Sequence, residues 1–316
     1  MGRVVNQKGD PVEGAKIEFD WIETNDGQGC GGVCDQWGVD ALAVSDSNGE
    51  FLITAAKAFD RMSVSVEGRA LAKGKFPKLA SGKKHVLKLG EGATVAGRVV
   101  NGTTAVARTG VGLVSVDRGM EGFTGDYEIG TDEEGRFVFT TIPPGREYYI
   151  YTLMKDAKRN GGVAGARKFT AGRDGETTML GDLTVQPAFR VAGRLALPEG
   201  RPLPTDVRMM LGREQAWDTL PNVDVAADGR FVLEGVPKES VSISPRLKGY
   251  RLSLLNPSLD RLNGFSIVGR VEENIDDLVI LLEPGEFRPD RSNRGPDPQP
   301  YNKPLRPFKA QESPSK

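Results

Sequence analysis

Apolar and polar residues alternate along much of the chain with a period of two, which is typical of β-strands with one buried face. Met62, Val64 and Val66 alternate with polar residues, and so do Val241 and Ile243. The polar residues between them are expected to face water. Long stretches with helical spacing are nearly absent. The pattern therefore predicts an all-β protein.

One short motif occurs three times along the chain. Gly2-Arg3-Val4-Val5 returns as Gly97-Arg98-Val99-Val100 and as Gly193-Arg194-Leu195-Ala196. Each copy is followed by a polar turn that ends in Gly and then reaches a Phe; these turns are residues 46–51, 132–137 and 227–231. A period of about 95 residues is the size of a small domain rather than of a solenoid unit. We therefore expect three copies of one β-sandwich.

The turns before each Phe suggest tight hairpins. Asn48-Gly49 and Asp228-Gly229 are the residue pairs that favour two left-handed positions, so they predict type I′ turns. A separate, basic hairpin is expected over residues 152–168, which are rich in Lys and Arg.

The repeat and the composition set the domain limits. We predict sandwiches over residues 1–92, 93–187 and 188–286, with an irregular loop at 21–44 in the first. Residues 287–316 are rich in Pro, Arg, Asn, Gln and Ser, so they predict a disordered tail.

The charge balance argues against several partners. The chain has 42 basic and 43 acidic residues and a formal net charge of −1, so it has no electrostatic footprint for nucleic acid. No apolar run is long enough for a membrane span. The first residues do not have the pattern of a signal peptide, which leaves a cytoplasmic chain or a piece of a longer exported one.

The motifs together resemble the carboxypeptidase regulatory-like domain. The resemblance rests on the Gly-Arg-Val-Val copies, Gly9-Asp10-Pro11-Val12-Glu13-Gly14-Ala15, the Asp-x-x-Gly-x-Phe turns and Ile142-Pro143-Pro144-Gly145. It implies transthyretin-like (Ig-like, prealbumin-type) β-sandwiches. Arrays with an ending such as Leu278 to Gly285 resemble proteins of environmental bacteria such as planctomycetes, many of them exported. The resemblance thus implies an extracytoplasmic location: periplasmic, cell-surface or secreted.

Catalytic residue combinations are not found in the sequence. His85 is the single histidine, so the zinc site of a metallocarboxypeptidase lacks residues. A serine triad would have to use His85 as its base, and the chain has no Gly-x-Ser-x-Gly elbow to carry the nucleophile. No phosphate loop or dinucleotide motif occurs. We predict no catalytic, metal or cofactor site and no enzymatic activity.

Two features of the first repeat are candidates for other chemistry. Cys30 and Cys34 are the two cysteines, and three interpretations stay open: a structural disulfide, free thiols, or a metal or redox role. The same loop contains Trp21, Trp37, Asp35 and Gln36, which are candidates for stacking on a sugar. The alternative is that the Trp rings only pack against the core.

The sequence therefore favours a non-catalytic extracytoplasmic binding or spacer module. A carbohydrate-binding module is one alternative, and the regulatory part of a larger peptidase or receptor is another. The expected partner is a glycan or another cell-envelope protein.

Overall fold

The described part of the chain forms six β-sheets, two for each repeat. A computed structural model describes residues 1–32, 35–119, 122–204, 206–260, 264–286 and 303–305. The first repeat contains β1 (Gly2–Val5), β2 (Lys16–Glu23), β3 (Gly29–Gly31), the 3₁₀ turn η1 (Asp35–Trp37), β4 (Leu42–Val44), β5 (Glu50–Phe51), β6 (Arg61–Glu67), β7 (Gly74–Ala80) and β8 (His85–Lys88).

The second and third repeats follow the same plan, with a longer strand for the Gly-Arg motif. The second contains β9 (Ala93–Asn101), β10 (Thr104–Ala105), β11 (Gly110–Ser115), β12 (Asp126–Gly130), β13 (Arg136–Ile142), β14 (Glu147–Thr152), η2 (Met154–Asp156), α1 (Ala157–Asn160), β15 (Arg167–Thr170) and β16 (Thr177–Thr184). The third contains β17 (Phe189–Ala196), η3 (Pro198–Gly200), β18 (Arg208–Arg213), β19 (Thr219–Val223), β20 (Arg230–Val236), β21 (Ser240–Arg246), β22 (Tyr250–Leu252), β23 (Ile267–Arg270) and β24 (Ile275–Pro284).

The strand that carries each Gly-Arg motif lies inside its sheet. It pairs antiparallel with the strand that carries the repeated Phe and parallel with the last long strand of the repeat, giving the neighbours β5-β1-β8, β13-β9-β16 and β20-β17-β24. In all three copies the motif Gly lies opposite the motif Phe: Gly2 and Phe51, Gly97 and Phe137, Gly193 and Phe231. The repeated residues are therefore register partners within one sheet.

Each pair of sheets encloses its own apolar core. The first core extends from Val4 to Leu89, and the second from Ala93 to Val185. The third is built from residues between Val191 and Leu305, together with Met154 of the second repeat. The all-β prediction and the sandwich architecture are confirmed by these sheets and cores.

The turns differ from the predicted type I′ geometry. Gly49 has a left-handed φ of 76°, and Gly229 one of 86°, but the residues before them do not. The Asp46 carboxylate accepts hydrogen bonds from the backbone N–H groups of Asn48 and Glu50, which keeps the first part of the turn right-handed. The result is a three-residue turn in which Gly alone takes the left-handed position.

The predicted wet face of β6 is also covered. Ser63 and Ser65 are buried, as are the apolar residues beside them. The hydroxyl of Ser65 donates to the Asp20 carboxylate, which in turn pairs with Lys75 at 3.0 Å. The alternation predicted that these serines face solvent, but a cluster of polar side chains covers them instead.

Residues 152–168 do not form the predicted hairpin. They contain η2 and α1 instead, where Lys155 pairs with Glu128 and Arg159 with Asp156. No helix in the described part of the chain is long and apolar enough to cross a membrane.

The prediction of a disordered tail does not hold for Lys303 to Leu305, the part of 287–316 that the structure describes. The N–H of Arg270 donates to the carbonyl of Lys303, and the N–H of Leu305 donates to the carbonyl of Arg270. Leu305 is buried in the third core. An unpaired sheet edge at β23 and one apolar side chain are enough to attach this segment.

Candidate functional site

The most extensive polar cluster joins the second and third sandwiches. Arg213 ends β18, Asp218 precedes β19, and Glu239 precedes β21, so three strand ends of the third sandwich converge. The facing surface comes from the end of β14 and from the segment before β15 in the second sandwich. The side chains of Arg213, Asp218 and Glu239 are 0%, 6% and 7% exposed.

All five N–H donors of the Arg213 guanidinium have an acceptor. Nε donates to Oε1 of Glu239 at 2.5 Å, and Nη2 donates to Oε2 at 3.0 Å, which makes a bidentate pair. Nη1 donates to Oδ2 of Asp218 at 3.2 Å. The remaining donors reach the carbonyls of Thr152 at 2.7 Å and Ala164 at 3.3 Å. These two carbonyls belong to the second sandwich, so one side chain spans the junction.

The two carboxylates also cross the junction. Asp218 Oδ2 accepts a hydrogen bond from the backbone N–H of Met154 at 2.9 Å. Glu239 Oε2 accepts one from the N–H of Ala166 at 3.0 Å. Ionised carboxylates that accept backbone N–H groups make stronger hydrogen bonds than neutral acceptors do. Every charged member of the cluster is therefore bonded to the backbone of the neighbouring sandwich.

Burial sets the electrostatics of the cluster. It raises the pKa of Asp218 above its ordinary value, although the charge of Arg213 opposes that rise. Burial also disfavours the charged guanidinium, but the attraction and hydrogen bonds of Glu239 and Asp218 together outweigh this effect and keep the pKa of Arg213 raised. Arg213 therefore stays ionised between two carboxylates.

An apolar shell surrounds these charges. Val114, Tyr151, Leu153 and Ala216 form a small core that is shared by the two sandwiches. The guanidinium carbon of Arg213 lies 5.1 Å from the centre of the Tyr151 ring, within the range of a cation–π contact. Met154 of the second sandwich packs into the third core.

Aromatic residues continue to the surface beside the cluster. Trp217 is 54% exposed, and its ring centre lies 5.5 Å from that of Phe123 in the second sandwich. The guanidinium of Arg118 lies over the Trp217 ring at 5.4 Å and donates to the carbonyl of Glu214. The loop between β11 and β12 therefore reaches across to the third sandwich.

The junction between the first and second sandwiches is built differently. The backbone N–H of Gly92 donates to Asp174 at 2.7 Å, and the N–H of Gly175 donates to the carbonyl of Gly92. Gly92 has a φ of 85°, and a Cβ there would lie 2.7 Å from the carbonyl carbon of Thr141. Close backbone contact, rather than a buried charge cluster, connects these two sandwiches.

Of the candidate sugar-stacking residues, Gln36 and Trp37 line one groove and Trp21 does not. Trp37 is 7% exposed and belongs to the first core, although it and the exposed Gln36 line a groove of about 560 Å³. Trp21 is not among the lining residues of that groove; its indole bonds to Glu23. Asp35 lies in η1, and its side chain is outside the described part. These positions favour packing for Trp37.

The cysteine loop is described in part. Cys30 lies in β3 and takes part in a disulfide bond, whereas Cys34 is outside the described residues. Within the described residues, no three His, Cys, Asp or Glu side chains lie close enough together to hold a metal ion. The ring of His85 bonds to the carbonyl of Ala80 at 2.9 Å.

Sequence reasoning did not find Arg213, Asp218 or Glu239. Each is an ordinary charged residue in a polar stretch, and nothing local distinguishes it from an exposed one. The signal is the burial itself, because an ionised side chain becomes fully buried only with partners.

Comparison with known proteins adds no family assignment. No family model and no curated protein matches the chain. Among solved structures, the TIE protein of Bacillus anthracis is similar at 13% identity over 90% of this chain, with a TM-score of 0.25. The streptococcal ancillary pilin is similar at 12% identity over 90% of this chain and 99% of its own, with a TM-score of 0.31.

A third similar structure is GBS52, the minor pilin of Streptococcus agalactiae, at 9% identity over 64% of this chain and 100% of its own, with a TM-score of 0.32. The chain spans half the length of the TIE protein. With TM-scores this low, the description of the fold rests on the chain's own sheets and cores. The resemblance to the carboxypeptidase regulatory-like domain stays a prediction.

Proposed function

We propose that this chain is a non-catalytic extracytoplasmic spacer, in which the second and third sandwiches are held at a fixed orientation. The domain limits of this proposal are 1–92, 93–187 and 188–286. The observation that carries it is the Arg213 cluster: each of its three buried charged side chains bonds to the backbone of the second sandwich.

The physical basis is the cost of exposing or unpairing buried charges. Bending the junction would break the bonds of Arg213 to the carbonyls of Thr152 and Ala164. It would also break those that Asp218 and Glu239 accept from Met154 and Ala166. A buried polar group that loses its partner costs about 1–3 kcal/mol, and more if it is charged. A fixed angle is therefore favoured over a flexible one.

The proposed location is supported by the disulfide at Cys30. Disulfide bonds form and persist in oxidising compartments such as the periplasm and the cell surface. A spacer there would carry a binding surface away from its point of attachment.

Distance measurements between spin labels test the proposal. Met179 in β16 and Val232 in β20 are exposed, so Met179→Cys and Val232→Cys place labels on the second and third sandwiches. We expect a narrow distance distribution for this pair in the otherwise unchanged chain. Arg213→Met should broaden it, because both carboxylates lose their cation.

The matched control is Arg190→Met, which removes an exposed pair with Asp276 in the same sandwich. It should leave the distribution narrow. A broad distribution before any change at Arg213 would contradict the fixed orientation. A hydrolase or peptidase activity that a single substitution abolishes would contradict the non-catalytic role.

A further inference from the structure

A groove of about 570 Å³ lies at one end of the third sandwich. Its walls come from the start of β18, the end of β21, the turn into β22, and the segment before β23. This volume is in the range of small-molecule sites. Four of its lining side chains are cationic: Arg208, Arg246, Lys248 and Arg251.

Two of these cations face each other directly. Arg208 and Arg246 are register partners on the antiparallel strands β18 and β21, and both are exposed. Side chains at directly opposite positions lie close together, so like charges there destabilise the sheet. Lys248 adds a third exposed charge in the turn that follows β21.

Several other arginines on strands of this protein have a carboxylate partner, whereas Arg3 and Arg167 bond to backbone carbonyls. Arg61 bonds to Glu23, and Arg251 bonds to Glu283, in both cases at the opposite register position. Two further pairs of arginines lie at opposite register positions, Arg98 with Arg136 and Arg194 with Arg230. In the first pair Arg98 contacts Asp182 and Arg136 contacts Glu134, and in the second pair Arg230 contacts Asp228. Within the described residues, Arg208 and Arg246 have no such contact. Two like charges without an ion pair among the described residues therefore line this groove.

The groove also offers an apolar surface. Phe265 is 53% exposed at its rim, Tyr250 is half-buried, and Leu247 and Leu252 are buried beneath them. Such a surface binds the face of a ring, while two guanidinium groups bind a planar anionic group with paired hydrogen bonds. Asp206 lines the groove as well and can accept hydrogen bonds from hydroxyl groups.

We propose that this groove binds an acidic saccharide. Arg208 and Arg246 bind the carboxylate of a sugar acid, Phe265 contacts the sugar ring, and Asp206 accepts from its hydroxyls. The Asp206 carboxylate can accept hydrogen bonds only from a ligand that carries donors, which favours a hydroxyl-rich sugar acid over a simple inorganic anion. The inference does not rest on the spacer function, because the junction lies at other residues.

Titration calorimetry with the full chain tests the proposal. The probe is tetragalacturonate, and its methyl ester, which keeps the sugar backbone but removes the charges, is the ligand control. We expect the acid to bind and the ester to bind much more weakly. Arg246→Gln should weaken binding of the acid by roughly tenfold or more, the usual consequence of losing a charged hydrogen bond.

Arg69→Gln is the matched protein control, since Arg69 is exposed on the first sandwich and undergoes the same change of charge. It should leave the affinity unchanged. Phe265→Ala should weaken binding of tetragalacturonate but not of inorganic sulfate. The proposal is overturned if the acid does not bind, if the ester binds equally well, if Arg69→Gln acts like Arg246→Gln, or if uridine monophosphate binds more tightly than the saccharide.

Discussion

Nε and Nη2 of Arg213 donate to the two carboxylate oxygens of Glu239, and this pair is closed off from water by the backbone of a different sandwich. Both residues belong to the third sandwich. Their burial depends on Thr152, Ala164 and Ala166 of the second. The stability of the pair is therefore coupled to the orientation of two domains.

Replacing Arg213 should strongly destabilise the protein. Arg213→Met leaves Asp218 and Glu239 buried without a cation, and breaking a buried ion pair from one side costs about 3–5 kcal/mol. Urea unfolding followed by tryptophan fluorescence measures this loss. Arg190→Met, at an exposed pair, should leave the unfolding free energy nearly unchanged. Equal effects of the two substitutions would show that the buried cluster has no special role.

Replacing Asp218 should change how stability depends on pH. Burial raises the pKa of Asp218 in the folded state, so the folded chain holds this proton more tightly than the unfolded chain does. The contribution of Asp218 to stability is therefore most favourable below the unfolded pKa and decreases as pH rises through the folded pKa. The Asp218→Asn variant should therefore become more stable relative to the parent as the pH rises from below the ordinary Asp pKa of about 4 towards neutral. A parent chain whose free energy of unfolding rises relative to that of the variant over this range would contradict the direction of the shift.

At Gly97 the repeated Gly is required by the ring opposite it. A Cβ at Gly97 would lie 2.6 Å from Cζ of Phe137, closer than side-chain atoms approach one another. Gly97→Ala should therefore lower the unfolding free energy by about 1–3 kcal/mol through overpacking. The control is Gly130→Ala in β12, where a Cβ would meet nothing within 4 Å. Thermal unfolding of the two variants separates them, and a similar loss at both positions would contradict this explanation.

Leu305 should anchor the segment that lies beside β23. Its side chain fills a place in the third core, so Leu305→Ala should cost about 2–3 kcal/mol in unfolding free energy. Lys303→Ala, which changes an exposed side chain in the same segment, is the control and should have little effect. Hydrogen exchange at Arg270 gives a second measurement, because its N–H bonds to the carbonyl of Lys303. Unchanged exchange in Leu305→Ala would mean that the segment is attached by other contacts.

The local sequence pattern predicted which residues form strands better than it predicted which side chains pack against those strands. The alternation of Met62, Val64 and Val66 placed β6 in a sheet, but it did not predict that Ser65 would be covered by Asp20 and Lys75. Both partners of this contact come from other strands. The turn at Gly49 was placed correctly, whereas its type depended on how the Asp46 carboxylate bonds to the backbone.

The candidate sites show the same division. Trp37 and Gln36 stood out because aromatic and polar residues adjoin in a long loop, yet the core takes up the Trp37 ring. Arg208 and Arg246 did not stand out, since opposing positions on two strands are fixed by register and not by closeness in sequence. A pair of like charges becomes visible only when the strands are aligned.

The sequence by itself determined that one sandwich plan occurs three times, because Gly and Phe at fixed places in each copy specify the same pairing of strands. Tertiary structure alone decided how two copies are joined. The backbone carbonyls of Thr152 and Ala164 accept hydrogen bonds from Arg213. Any residue at these two positions has the same carbonyl group, so the contact cannot be predicted from the residue types. Which side chain bonds to these backbone groups depends on how the two domains pack together, and only the tertiary structure shows that packing.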